Sequence, residues 1–344
     1  MNILNPPQIE LLRDFKNDVG LLTCAFASQG STVFLGAREP GVKFVDLSEP
    51  ESVAQTLEGH ATWVTAIAAF PDHVVTADYA GTLICWSLES ESPTPRWTKN
   101  SVSIRCLATN STAGIVASSG TDGQVRLWDA ENGATIRVLG EAAFPVFDLA
   151  FSPDGSFLFS VDRAPSNPAV RQWNTSTGEL AGSFDGSDLS AYRRGENVQW
   201  GGIRGIDVSA DGTQIACCGR HQYNGPGTVL LFDVASGQQT AKQVSEFPGL
   251  FHAVQYHPDG FLVTAGGDVN RGEVWFFPAD GAPAIGKAPV SGPVMCLDLS
   301  PDGRQFAAAQ SVGQSAYPDG GALGIYSLQP TAAANSSVPP DEPS

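Results

Sequence analysis

The 344-residue sequence predicts an all-β protein built from seven like units, and three observations carry that expectation. Short apolar runs ending on an aromatic or apolar residue recur as "VKFVDLS", "LICWSLE", "VRLWDAE", "VRQWNTS", "VLLFDVA", "VWFFPAD" and "LGIYSLQ". A second phrase precedes each of them: "LLTCAFAS", "WVTAIAAF", "IRCLATN", "VFDLAFSPDG", "IRGIDVSADG", "FHAVQYHPDG" and "VMCLDLSPDG". Gly (37) and Pro (24) are plentiful, which favours many turns over long helices.

The units span about 40–60 residues and hold three or four short strands each. A small four-stranded sheet has two apolar faces and cannot bury both alone. Packing several of them radially buries every face except the rims, so the expected architecture is a seven-bladed β-propeller of four-stranded antiparallel blades. The first strand of each blade carries a mostly small residue at its third position: Thr23, Ala66, Cys106, Asp148, Gly205, Ala253 and Cys296. Small side chains let the inner strands crowd around a central axis, and Asp148 must there reach water or a donor. The second positions, Leu22, Thr65, Arg105, Phe147, Arg204, His252 and Met295, are expected at the channel mouth.

The ends of the chain follow from the strand count. The seventh unit begins at Val294 and supplies three strands before the sequence turns polar at Gln329. The segment "QIELLRDF" (8–15), within an N-terminal segment 1–20, is the candidate for the missing outer strand. A short helix after Pro6-Pro7 competes with it, since Ile9, Leu12 and Phe15 share a helical face. The propeller is expected over 21–329, followed by a disordered tail at 330–344, where apolar bulk is almost absent.

The motifs "LEGH" (57–60), "FSPDG" and "TDGQVRLWD" resemble the WD40-repeat family of β-propellers over residues 21 to 329. In that family a Gly-His, a strand Ser/Thr, a turn Asp and the strand Trp form a hydrogen-bonded tetrad. The resemblance implies such roles for His60, Thr76 and Trp86 in blade 2, with Ala80 where the turn Asp would stand. Blade 3 offers Ser118, Asp122 and Trp128 without a preceding Gly-His, and blade 4 offers Trp173. On this reading no tetrad is complete. The resemblance also makes the channel rim a frequent contact surface, but the fold alone names no function.

Loop length is asymmetric. Turns after the first and third strands stay short, while the opposite face expands with "DRAPSNPA", "GRHQYNGPG", "GGDVNRG", "SVGQSAYPDGG" and the insertion 185–202. Long loops on a rigid scaffold are where binding usually resides. These hold Arg163, Arg193, Arg194, Arg220, Arg271 and His221, with Tyr192, Trp200, Tyr223 and Tyr317. Arg with Tyr and Trp is the composition of interaction hot spots. The competing reading has the arginines merely pairing with Asp185, Asp188, Glu196 and Glu273 nearby.

Net charge is −17, from 36 acidic and 19 basic residues, which disfavours a general nucleic-acid or anionic-membrane binder. The N-terminus lacks a basic region followed by an apolar block, so a cytoplasmic protein is expected. The cysteines, Cys24, Cys85, Cys106, Cys217, Cys218 and Cys296, form no CxxC pair and read as reduced, buried residues. No nucleophile motif, P-loop or HExxH spacing occurs, so no catalytic residue, cofactor or metal is expected. Two classes of function remain. One is a monomeric, non-catalytic scaffold binding an acidic protein or peptide on the long-loop face. The other is a propeller enzyme or small-anion binder at the channel mouth, using Arg105, Arg204 and His252.

Overall fold

The computed structural model describes residues 7–329 apart from 91, 142–143, 165–166, 191, 194–197, 200, 247, 269–270 and 313–319. Seven four-stranded antiparallel sheets form a seven-bladed propeller. The inner strands of blades 1 to 7 are Leu21–Phe26, Val64–Ala69, Ile104–Asn110, Val146–Phe151, Gly202–Val208, Leu250–Tyr256 and Val294–Leu299. Blades 1 to 6 add their strands outward in chain order. Among the described residues the only helical element is one turn, Ser187–Leu189, in the 185–202 insertion. A two-stranded ladder, Tyr192–Arg193 with Val198–Gln199, follows it.

The apolar core is divided into seven wedges, each between two neighbouring blades. Between blades 1 and 2, Phe34, Val42 and Phe44 meet Ile84 and Trp86. Between blades 6 and 7, Phe261, Val263 and Phe276 meet Phe306 and Tyr326, and the last two rings stack at 4.8 Å. No blade could keep both faces dry without its neighbours, which is why the ring must close. All six cysteines are free and lie in strands; five are buried, and Cys296 is partly exposed to the channel. Burial pushes the Cys85 thiol up to about 12.

Closure follows the strand reading. Residues Gln8–Asn17 pair antiparallel with Gly320–Gln329 and complete blade 7. Ile9 packs on the wedge between blades 6 and 7, and Phe15 on the wedge between blades 7 and 1. The helix-like spacing of Ile9, Leu12 and Phe15 has a simple origin. The register shifts between Leu11 and Arg13, and one extra residue in a strand breaks the two-residue alternation. Leu11 and Leu12 are left half exposed, at 50% and 44%.

One expectation is corrected. Blade 2 holds a complete tetrad, with Asp78 and not position 80 as its acid. His60 Nδ1 lies 3.2 Å from Asp78 Oδ2, and His60 Nε2 lies 2.7 Å from Thr76 Oγ1. Trp86 Nε1 donates to Thr76 Oγ1 at 2.8 Å, while the Thr82 amide donates to Asp78 Oδ1. The strand ends at Asp78 and residues 79–80 form the turn, so the acid of the network is the last residue of the strand. Ala80 itself is exposed. Blades 3 and 4 keep the Trp–Ser half of the network, Trp128 to Ser118 and Trp173 to Ser160, both at 2.8 Å. Asp122 instead receives the Gln124 amide and pairs with Arg126 at 2.6 Å.

Candidate functional site

Every inner strand carries the same irregularity. Its register against the second strand shifts between Leu21/Thr23, Val64/Ala66, Ile104/Cys106, Val146/Asp148, Ile203/Gly205, Phe251/Ala253 and Val294/Cys296. A bulge leaves one residue out of the ladder and re-aims its side chain. The seven residues so released are Leu22, Thr65, Arg105, Phe147, Arg204, His252 and Met295, and all line the central channel, about 600 Å³ in volume.

Arginines gather around one of them. Arg105 and Arg163 lie 4.8 Å from the centre of the Phe147 ring, and Arg204 lies 5.2 Å from it. Burial lowers the Arg163 pKa to about 10, helped by repulsion from Arg105 and Arg220. Burial and the charges of Arg163, Arg105 and Arg220 depress Arg204 further. His252 is held down to about 3 by burial and then by Arg204, Arg163 and Arg220, so its imidazole is neutral at pH 7. Arg204 Nε is shut off from solvent and has no hydrogen-bond partner among the described residues. Gly202, at φ +88°, leaves room for the Arg163 stem, whose Cγ would sit 2.8 Å from a Cβ there.

The cationic cluster continues outward as alternating arginines and rings. Arg105 reaches the Tyr79 ring at 5.9 Å, Tyr79 meets Trp63 at 5.9 Å, and Arg38 lies 5.9 Å from the Trp63 ring. Trp63 and Tyr79 are 38% and 43% exposed. Arg38, Trp63 and Tyr79 were missed in the sequence because their loops in blades 1 and 2 are short. The available signal was an aromatic or Arg immediately flanking a strand on the long-loop side.

The other expected site residues divide. Arg105, Arg163, Arg204, Arg220 and His252 share one electrostatic cluster. His221 instead donates from Nδ1 to the Asp188 carbonyl at 2.6 Å, which ties its loop to the 185–202 insertion, and Arg271 pairs with Asp268 at 3.7 Å within its own loop. Arg163 also donates from Nε to the Gly201 carbonyl at 3.2 Å. Tyr223 is 41% exposed. Only the backbone of Tyr192 and Arg193 is described, and Arg194, Trp200 and Tyr317 lie outside the described residues.

Deeper in the channel, carboxylates join neighbouring blades. Asp148 Oδ2 accepts the Ile206 amide at 3.0 Å, Asp207 Oδ2 accepts the Tyr256 amide at 2.7 Å, and Asp298 Oδ2 accepts the Phe26 amide at 2.7 Å. Gln255 Oε1 does the same for Leu299 at 2.9 Å. The chain of latches runs from blade 4 through blades 5, 6 and 7 to blade 1. Burial raises Asp148 to about 7, against the lowering effect of its amide donors, and raises Asp207 and Asp298 to about 6.

A carboxyl whose folded pKa is raised stabilises the fold fully below the unfolded value, and that contribution is lost as pH rises through the folded value. For Asp148 the window runs from the ordinary value of 3.8 to about 7. At about 1.36 kcal/mol per pKa unit this is about 4 kcal/mol as a ceiling, reduced by water in the channel. His252 works in the opposite sense, losing stability as pH falls from 6.5 toward about 3. Comparison with a variant isolates the acid. Asp148→Asn removes the charge and keeps one of the two accepting oxygens, for the Ile206 latch, at the cost of the Leu149 bond, so its melting temperature at pH 8 should still exceed the parent's by a few degrees. The gap should shrink to less than half at pH 5, which lies inside the window, and close only below the ordinary value of 3.8. Equal melting curves at pH 8 and pH 5 would refute the assignment.

Asp72, His73 and Glu131 also offer ligand atoms within 4.8 Å of one another. Arg96 reaches this group, at 2.9 Å from Asp72 and 3.2 Å from Glu131, so its charge is balanced by a guanidinium.

Comparison with known proteins agrees with this architecture. The family described as "WD domain, G-beta repeat" matches residues 51–87, 93–129 and 133–187. The chain is 25% identical over 194 residues to the WD repeat-containing protein VIP3 of Arabidopsis thaliana, covering 56% of this chain and 58% of that protein. It is 31% identical over 110 residues to the kinesin-like protein KIF21A of Homo sapiens, covering 31% of this chain and 6% of that protein. The chain therefore spans less than two thirds of either relative's length. With matched repeats between residues 51 and 187, a complete His60–Asp78–Thr76–Trp86 tetrad and seven four-stranded sheets in a ring, the chain carries WD40 repeats within a seven-bladed β-propeller.

Proposed function

We propose that the protein is a non-catalytic scaffold that receives an acidic protein or peptide segment on its long-loop face. The observation that carries this reading is the run Arg38–Trp63–Tyr79–Arg105–Phe147–Arg204, which crosses that face from blade 1 to the channel mouth. Exposed rings beside arginines supply rigid apolar contact and charge together. Against a chain of net charge −17, a local cationic strip steers acidic partners to one place. The general role of WD repeats in protein association supports the same reading.

Affinity capture with the native protein, followed by exchange of partners against a double variant, tests it. Arg38→Glu with Arg105→Glu should weaken any captured partner by about 1–3 kcal/mol and flatten the salt dependence of binding. Arg137→Glu, on an outer strand, should leave binding unchanged. Equal losses from both changes, or none from either, would remove the long-loop face as the binding surface.

A further inference from the structure

We propose that Cys24 and Cys296 form a redox-modification site, two thiols that a peroxide joins into a disulfide which locks the ring at its closing seam. The site is separate from the long-loop face and independent of any partner held there.

The pair is set by the placement of two inner strands. Of the six cysteines, Cys24, Cys106 and Cys296 stand on inner strands, those of blades 1, 3 and 7. Of these blades only 7 and 1 are neighbours, so only Cys24 and Cys296 meet across a wedge. Asp298 holds the Phe26 amide, and two residues earlier on both strands Cys296 lies level with Cys24. Their sulfurs cross over. Cys24 Sγ is 3.7 Å from the Cys296 carbonyl oxygen, and Cys296 Sγ is 3.6 Å from the Cys24 carbonyl oxygen. The two thiols are also hydrogen-bonded to each other. Side chains that face one another across separate strands meet the directional demand of a disulfide. Cys217 and Cys218, adjacent in one strand, point to opposite faces and do not.

The two sulfurs have different parts. Cys24 is buried in the wedge between blades 7 and 1, while Cys296 packs against that wedge from the channel, whose volume of about 600 Å³ admits a small oxidant. The hydrogen bond from the Cys24 thiol lowers the Cys296 pKa against the effect of burial, and the Thr23 hydroxyl, at 3.8 Å, adds to it. Thiolate is the nucleophile, so Cys296 reacts first. Its sulfur attacks one oxygen of hydrogen peroxide, the O–O bond breaks, hydroxide leaves, and Cys296 becomes a sulfenic acid, oxidised by two electrons. The Cys24 sulfur then attacks the Cys296 sulfur and displaces the hydroxyl, which departs as water with the Cys24 proton. Two thiols and one peroxide thus give one disulfide and two waters. Burial raises the other four thiols, which holds them back as nucleophiles.

The bond falls where covalent continuity is weakest. Blades 1 to 6 each run directly into the next, but blade 7 is tied to blade 1 only through the pairing of Gln8–Asn17 with Gly320–Gln329. A disulfide between residues 272 apart encloses most of the ring, and the constraint on the unfolded chain grows with the loop enclosed.

The test treats the full chain, reduced and freed of reductant, with a small molar excess of hydrogen peroxide. Non-reducing mass spectrometry should show a loss of about 2 Da, and a peptide map should join the peptides that carry Cys24 and Cys296. The melting temperature should rise by at least about 3 °C and return on adding dithiothreitol. In Cys24→Ser the Cys296 sulfenic acid should persist and be trapped by dimedone, whereas in Cys296→Ser the Cys24 thiol should stay unoxidised. The map of the unaltered protein decides the case even where a serine variant fails to fold. Passage of Cys296 to the sulfinic acid with Cys24 still free, a link between any other pair, or six thiols intact after treatment would overturn the site. A Cys24–Cys296 link that leaves the melting temperature unchanged would overturn its role as a lock.

Discussion

Deleting residues 1–18 is expected to destabilise the propeller more than any single substitution in it. The deletion removes the outer strand of blade 7 along its whole pairing with Gly320–Gln329. It uncovers Leu323 and Ile325 on one side, where Phe15 packed, and Tyr326 and Leu328 on the other, where Ile9 packed. Loss of the apolar contacts of those two residues alone amounts to about 2–4 kcal/mol, before the lost ladder hydrogen bonds are counted. A fold with about 5–15 kcal/mol to spare would feel this severely. The freed edge is also a template for another strand, so association should accompany the loss. Calorimetry and light scattering on the truncated chain check both effects. A melting temperature within a degree or two of the full chain would show that the closing strand is dispensable.

The second large effect is expected at Asp78. Its two oxygens face His60 and the Thr82 amide, and its side chain is fully buried. Asp78→Ala leaves two buried groups without partners, at about 1–3 kcal/mol each, so a loss of about 3 kcal/mol is expected. Ala80→Asp should change stability by less than about 0.5 kcal/mol, since position 80 is exposed. Combining the two should not restore what Asp78→Ala loses. Denaturant titration of the three variants decides the matter. A neutral Asp78→Ala, or its rescue by Ala80→Asp, would place the acid of the tetrad where the repeat pattern first suggested.

The contrast between positions 78 and 80 shows where sequence reasoning reaches its limit. Repeating apolar phrases determine how many sheets form and which strand is innermost, because burial between neighbours demands that pattern everywhere. The residues at the channel mouth were legible for the same reason, as a position within the repeat. The device that exposes them was not: a bulge is one unpaired residue, and no composition marks it. The N-terminal strand was ambiguous on the same ground, since its bulge at residue 12 mimics a helical period. Loop length was a partial guide to the surface. It led to Arg163 and Arg220, but passed over Trp63 and Tyr79, whose loops are short and whose exposure is set by their neighbours. It also promoted His221 and Arg271, which commit their polar atoms to Asp188 and Asp268.

The pairing of Gln8–Asn17 with Gly320–Gln329 also imposes an order of events during synthesis. About 300 residues separate the two strands, so at about 5–20 residues per second the first waits roughly 15–60 s for the second. Through that interval the first strand has no partner, while six sheets can already stack beside it. Its alternation of Glu10, Arg13, Asp14 and Lys16 with apolar residues is then useful, because charge discourages pairing with a foreign edge. The last-made strand therefore acts as a clasp for the first-made one. A chain that stops short of Gly320 offers a loose strand and an open sheet edge together, and its expected fate is aggregation in place of a weakened but functional ring.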